Sequence, residues 1–355
     1  MFKKLTAFLA LAVMLFSISS CSSTEWVVKN GDTEITSGIY LGFLTQMTLS
    51  EMQEHSAYTT ADLMKMTIHE KSAEAYVQEL ALSLCKEYIS IEKKFKELNL
   101  SLTEEDEKEI ESTLASYKSY YGTIFSDNGC GDVSLKAMIA NEKKLEKIFY
   151  HLYNEGGEKG VSDADKRAYF NENYVRVQFI SIPLYDDSTG DDLEGEALEK
   201  VKAKAKSYKE RADKGESFID LKNEFEKESS TSSSSSTDKK YTNEIQDNGF
   251  TNADNLVPKN KSSYPAEFIT AVFEMKVGEV KVVEIDSVCF VIKKLNLNES
   301  EKAYDSNKDS ILAEMRSEEY STLQTEWKNA LQYETNTASV KRYSPKKIKI
   351  DMTAN

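Results

Sequence analysis

Histidine is almost missing from this chain: there are three in 355 residues, His55, His69 and His151. All fall in the first half, and none supports a hydrolase triad, which needs an imidazole beside its nucleophile. His69-Glu70 begins like a zinc-protease helix, but the position for the second ligand is Ala73. Cysteine is scarce as well. Beyond Cys21 only Cys85, Cys130 and Cys289 remain, an odd number at long spacings that suits neither a disulfide framework nor a zinc site. Cys85 follows the apolar stretch Leu80–Leu84 and Cys289 lies between Val288 and Phe290, so both are expected in cores. No metal and no cofactor is expected. Positive charge is in deficit, with 45 Lys and Arg against 60 Asp and Glu, a net charge of −15. Such a surface repels phosphate backbones and argues against nucleic acid as a partner. Gly156-Gly157-Glu158-Lys159-Gly160 lacks the spacing of a phosphate loop. The apolar run at the start, Leu5 to Ile18, is shorter than the roughly 20 residues a membrane-spanning helix needs.

That run follows Lys3 and Lys4 and ends at Ser19-Ser20-Cys21, the pattern of a charged region, an apolar region and a small-residue cleavage site. Ile18-Ser19-Ser20-Cys21 also resembles the bacterial lipobox, whose cysteine receives diacylglycerol. Residues 1–20 are therefore expected to be a signal peptide and Cys21 a lipidation site; an ordinary secretory signal with a chance cysteine is the alternative. Acyl chains at ~0.8 kcal/mol per buried methylene would hold the chain at a membrane. Ser22, Ser23 and Thr24 read as a tether, and the expected location is the extracytoplasmic face of the cell membrane, with the bilayer as a partner through acylated Cys21. Loss of Lys3 and Lys4 with the signal takes the net charge from −15 to −17.

Trp26 to Asp32 predicts a strand entering an Asn-Gly turn. Ala73, Tyr76, Val77, Leu80 and Leu84, then Ile91, Phe95 and Leu98, recur at helical spacing. Thr103 with Asp106 predicts a capped helix start, and Leu145, Ile148, Phe149 and Leu152 mark another helix. Residues 21–160 thus read as mainly helical. Ser162 and Asp165 open a short helix, Val175–Phe179 alternates like a strand, and Ala197 to Phe225 is amphipathic and broken near Gly215. The serine-rich stretch 229–237 is too polar to bury anything and reads as a loop. Strand signals return at Val280–Val283 and Val288–Ile292. Leu312, Met315, Leu323, Trp327 and Leu331 form one apolar stripe, which must be buried against something; the helical first half is the natural partner.

Four stretches together resemble the PrsA/SurA-like extracytoplasmic foldases, which carry a parvulin-type (PpiC-like) peptidyl-prolyl isomerase domain. Val27 to Thr36 is similar to the family's opening strand, and Val161 to Asn173 to the helix that leads into the parvulin domain. Glu267-Phe-Ile-Thr-Ala-Val-Phe-Glu-Met-Lys-Val-Gly-Glu279 resembles its Phe-x-x-Ala-x-Phe-x-Leu-x-x-Gly-Glu signature, with Met275 in the leucine slot. Tyr343 to Lys347 looks like the tail that closes the helical module. The resemblance implies an α+β fold: a chaperone module made of residues 21–160 and 299–355, and an inserted α/β parvulin-like domain at 161–298.

A peptide bond rotates over a barrier of ~18–20 kcal/mol, so X-Pro bonds isomerise slowly unaided. Parvulins resemble a scheme of two histidines on neighbouring strands, an Asp or Cys at the groove, and apolar proline contacts. By the same resemblance the two histidine slots hold Phe179 and Phe290, the Asp or Cys slot holds Glu228, and Phe268 and Met275 keep the apolar, substrate-binding side. Each also has a plainer reading: Phe179 and Phe290 as core side chains, Glu228 as a solvated charge near a helix end. The resemblance implies a chaperone or foldase for unfolded or nascent exported proteins with an inactive isomerase domain. An active peptidyl-prolyl isomerase and a non-catalytic, peptide- or protein-binding surface lipoprotein are the alternatives. A second copy of the chain is a further candidate partner.

Overall fold

A computed structural model describes residues 25–186, 188–230, 240–260 and 263–352. Cys21, the signal segment 1–20 and residues 231–237 of the serine-rich stretch lie outside the described residues; Ser229 and Ser230 end a helix. The chain divides into two compact units, one running to Leu152 and resuming at Glu318, the other Tyr153–Ser317.

In the first unit the strand Trp26–Asn30 turns at Gly31, whose φ of 58° suits a residue without Cβ, and pairs antiparallel with Thr33–Thr36. Its other edge takes Glu334–Thr335 from the far end of the chain. Helices Ser37–Glu54, Ala73–Glu97, Glu104–Tyr121 and Asp132–Tyr153 supply most of the remainder. The expected start at Thr103 is a complete capping box with Asp106, which satisfies two otherwise orphan groups reciprocally. The Ala73–Glu97 helix differs in detail from its sequence pattern. Leu80 and Leu84 are half-buried, whereas Val77, Ala81, Cys85 and Ile89 are fully enclosed. Three of these four, Val77, Ala81 and Cys85, are smaller than the leucines that the sequence pattern favours. The Ser37–Glu54 helix also has a small residue in contact at Gly42, where an added Cβ would lie 2.4 Å from the Met138 sulfur.

The chain's last segment completes this core. Val340, Ile348 and Ile350 are buried in it, Thr60 donates its N–H to the Ile350 carbonyl at 3.1 Å, and Asn128 bonds both backbone groups of Lys349. From the helix Lys308–Asn329, Tyr320 donates to the Leu145 carbonyl at 2.6 Å and sets its ring 5.1 Å from Phe149. Of the C-terminal stripe, Leu331 packs against this core, whereas Met315 packs with Tyr304 and Ile311 in the second unit, so the helical first half covers only part of it.

The second unit is built on a four-stranded antiparallel sheet in the order Asn255–Pro258, Tyr174–Pro183, Val288–Leu295, Val280–Ile285. Helices Gly195–Asp213 and Phe218–Ser230 cover one face, enclosing Ile180, Ile182, Cys289 and Val291 with Tyr208 and Leu221. The other face carries Val175, Val177 and Ile292 against Phe268, Val272 and Met275 of the Ala266–Glu274 helix and its cap. The helix Asp163–Asn173 packs Phe170 with Tyr304 and Ile311, which draws the chain up to Ser317 into this unit. The architecture is α+β, a mainly helical module interrupted by a smaller sheet-bearing one.

Candidate functional site

Alternation along the Tyr174–Pro183 strand puts Val175, Val177, Phe179 and Ser181 on one face. Across the ladder Phe179 opposes Ile292 and Ser181 opposes Phe290, so the two phenylalanines are diagonal neighbours on adjacent strands. Their ring centroids are 5.9 Å apart. Both close on Phe268, at 5.5 Å from Phe179 and 5.0 Å from Phe290, with edge-to-face tilts of 76° and 64°. Tyr264 stacks on Phe268 at 4.8 Å and meets Phe179 at 5.8 Å. Edge-to-face pairs contribute ~0.5–1.5 kcal/mol each beyond the area they bury, so the four rings form a locked cluster.

Phe179 and Phe290 are half-buried, whereas Phe268 is fully enclosed and Met275 is 4% exposed. The rings with solvent-facing surface are therefore Phe179, Phe290 and Tyr264, and Phe268 and Met275 support them from beneath. The pairing of Asn255–Pro258 stops at Val177. Lys222 of the Phe218–Ser230 helix comes to Phe179 from beside this shortened edge. Its ammonium lies 5.3 Å over the Phe179 ring and 4.3 Å over that of Tyr241, where the negative ring faces attract a cation. Tyr241 is fixed by Asn223, which accepts from its N–H at 2.8 Å and donates to its carbonyl at 2.9 Å. The Tyr264 hydroxyl donates to the Asn255 side chain at 3.4 Å, and burial raises its pKa. Lys294, on the same sheet face as Phe290, donates to the Phe273 carbonyl at 3.1 Å; burial lowers its pKa.

Glu228 stands apart from the rings. Its carboxylate lies 2.5 Å from Lys204 of the Gly195–Asp213 helix, half-exposed in the helical layer on the opposite face. Six residues separate it from Lys222, so the two point to different sides of one helix, and the side that reaches the aromatic rings carries Lys222. The sequence reading missed Lys222, Tyr241 and Tyr264, since nothing in a lysine beside Leu221 announces that it bends round a sheet edge. Cys289 opposes Ile182 and faces the helices; burial pushes its thiol up to about 11, far from nucleophilic character. All three histidines belong to the other unit. Among the described residues no group of three or more His, Cys, Asp and Glu could hold a metal ion. The face thus offers ring surfaces and cations held over them.

Residues 164–298 match the family model of the PPIC-type peptidyl-prolyl isomerase domain. No curated protein matches the chain. Among solved structures, the foldase protein PrsA of Streptococcus pneumoniae is 19% identical, over 76% of this chain and 82% of that one, with a TM-score of 0.34. PrsA of Bacillus subtilis is 18% identical over 90% of each chain, with a TM-score of 0.25. PrsA of Lactococcus lactis is 13% identical over 90% of this chain and 99% of that one, with a TM-score of 0.38. The family-model match thus falls on residues 164–298, the segment that the sequence resemblance reads as parvulin-like.

Proposed function

We propose that this chain is a lipid-anchored, extracytoplasmic protein-folding factor that holds exported non-native polypeptides and does not catalyse X-Pro rotation. The observation that carries the second half of this reading is the pair Phe179 and Phe290, in ring contact on neighbouring strands where the domain's resemblance would place two histidines. A catalyst of rotation must favour the twisted amide with groups that donate or accept hydrogen bonds, and benzyl side chains do neither. Losing one well-placed polar stabiliser costs other enzymes roughly 10²–10³ in rate. Replacing both members of a buried polar pair by apolar groups can be nearly neutral for stability, so the fold tolerates such a change. The half-exposed rings of Phe179, Phe290 and Tyr264 suit an apolar client segment, with the helical module as a second contact surface. Cys21 supplies the anchor in this reading.

Two measurements on the mature protein test it. The rate of X-Pro isomerisation in a model peptide is expected at background, while aggregation of an unfolded client is suppressed. A rate close to that of a histidine-bearing parvulin, abolished by Phe268→Ala, would overturn the reading. Failure to suppress aggregation would favour a surface lipoprotein that binds only folded partners. In cells, Cys21→Ser should release the protein from the membrane; undiminished membrane association of that variant would remove the anchor.

A further inference from the structure

In a chain of net charge −15, the eleven residues Val340–Ile350 hold five cations and no acid. They form a strap whose alternation is strict in its effect. Val340, Pro345, Ile348 and Ile350 are buried in the core of the first unit, and Lys341, Arg342, Lys346, Lys347 and Lys349 are all exposed. The strap is tied along its length. Ser339 donates to the Trp26 carbonyl at 3.1 Å, Ser344 to Glu74 at 2.6 Å, and the hydrogen bonds of Asn128 and Thr60 hold Lys349 and Ile350. Arg342 lies 2.9 Å from Glu25 and Lys346 2.5 Å from Glu74. Lys341, Lys347 and Lys349 make no ion pair among the described residues, and the Lys347 ammonium donates to the Arg342 carbonyl at 2.8 Å.

The Arg342–Glu25 pair fixes where this strap lies relative to the expected anchor. Glu25 is four residues from Cys21, a chain length of at most about 14 Å. We infer that the exposed cations of the 340–350 strap rest on an anionic lipid surface and so orient the helical unit on the membrane. The inference builds on the Cys21 anchor proposed above. The rest of the acidic chain does not forbid it. At physiological salt the screening length is about 8 Å, so the charges nearest the bilayer decide the interaction. A short tether also holds those charges at high local concentration. Trp26, partly exposed beside the strap, has the amphipathic ring that favours a membrane–water interface.

The test uses the full mature chain without an acyl group, carrying Cys21→Ser, so that its outcome is independent of lipidation. Binding is measured to vesicles of phosphatidylcholine alone and with about one-third phosphatidylglycerol, at physiological and at high salt. The variant Lys341→Gln/Lys347→Gln/Lys349→Gln leaves both ion pairs in place, and its thermal unfolding reports whether the fold is kept. Each basic group near an anionic surface contributes roughly fivefold, so the triple variant should bind anionic vesicles about a hundredfold more weakly. Wild-type binding should vanish at high salt and on neutral vesicles. Equal binding of wild type and triple variant, or equal binding to both vesicle types, would overturn the inference. So would strap-dependent binding to a soluble polyanion with none to vesicles, which would assign the strap to an anionic polymer instead. Loss of the anchor itself would appear separately, in the cell fractionation of Cys21→Ser.

Discussion

One strand of the second unit carries two opposite solutions to burial. On one face of Tyr174–Pro183, Val175, Val177 and Phe179 lie among apolar side chains and aromatic rings. On the other, Arg176 and Gln178 are buried with charge and amide intact. Arg176 sets Nε and a terminal nitrogen 3.0 and 2.6 Å from Asp254, and its other terminal nitrogen 2.7 Å from Glu299. Gln178 donates to the second Asp254 oxygen at 2.7 Å, and the Thr251 N–H to the first at 2.8 Å. Along this strand the buried polar side chains each have a complement, and the slots where the resemblance would put histidines hold rings on both strands. The difference teaches that on this strand a buried polar group goes with a buried partner and a position without one is filled by an apolar ring.

The largest effect should come from breaking the complete network. Asp254 is wholly buried at the side chain and Arg176 is 4% exposed, so Asp254→Ala strands two guanidinium nitrogens and an amide and leaves Arg176 only its bonds to Glu299 and the Asn296 carbonyl. Removing one partner of a buried pair typically costs about 3–5 kcal/mol. Urea unfolding followed by circular dichroism should show that loss. The double change Arg176→Met/Asp254→Leu should cost clearly less than Asp254→Ala and Arg176→Met added together. Simple additivity would mean the two groups act independently and the comparison between the faces fails.

The opposite operation, putting polarity back on the aromatic face, should cost less. Phe179→His alone, opposite Ile292, buries part of an imidazole against Phe268 with no polar partner on the facing strand, an expected loss of about 1–3 kcal/mol, and Phe290→His, opposite Ser181, should lose less. With both histidines the two rings can bond each other, so the double variant should lose less than the sum, read as a coupling energy in a double-mutant cycle. Its X-Pro isomerisation rate need not rise, because Tyr264 and Lys222 are packed around a benzyl ring. A rate gain of a hundredfold or more would instead show a pocket still shaped for catalysis.

Much of this fold was legible in the chain. The capping box at Thr103, the Asn-Gly turn, the helix break near Gly215 and three of the four strands of the second unit's sheet rest on local chemistry, and only Asn255–Pro258 gave no strand signal. The meeting of Phe179 and Phe290 rests instead on the family resemblance, which sets those slots on neighbouring strands. Arg176 and Asp254 were not legible: 78 residues separate them, and their pairing depends on the turn after Thr251, which no periodicity predicts. The resemblance puts Glu228 at the groove, but the helix continues to Ser230. Continued helix fixes which residues share a side, and it turns Glu228 toward Lys204 while Lys222 faces the rings. The strap 340–350 read only as a tail, since its cations gain meaning from Arg342 meeting Glu25 across the chain's whole length.

The smallest effect should appear where a paired carboxylate lies close to solvent. Asp106, 7% exposed, is pushed up by burial but pulled down further by the Lys147 ammonium at 2.6 Å and by the Thr103 N–H and hydroxyl, to about 2. A carboxyl whose folded pKa lies below its unfolded value stabilises the fold above the unfolded pKa, near pH 4. That contribution is lost as pH falls through about 2. The shift corresponds to at most about 2.5 kcal/mol, and solvent screening around the quarter-exposed Lys147 reduces it toward about 1 kcal/mol. Asp163, held at about 2 chiefly by Arg167, titrates in the same window but belongs to the other unit. Both tryptophans, Trp26 and Trp327, fall in the unit of Asp106, so tryptophan fluorescence isolates it. Urea midpoints followed by that signal should drop between pH 4 and pH 2 by about 1 kcal/mol more in the wild type than in Asp106→Asn, which cannot titrate. Parallel curves would show that the Thr103–Asp106–Lys147 contacts contribute no charge-dependent stability. The graded cost from Asp254 to Asp106 would then have to come from packing alone.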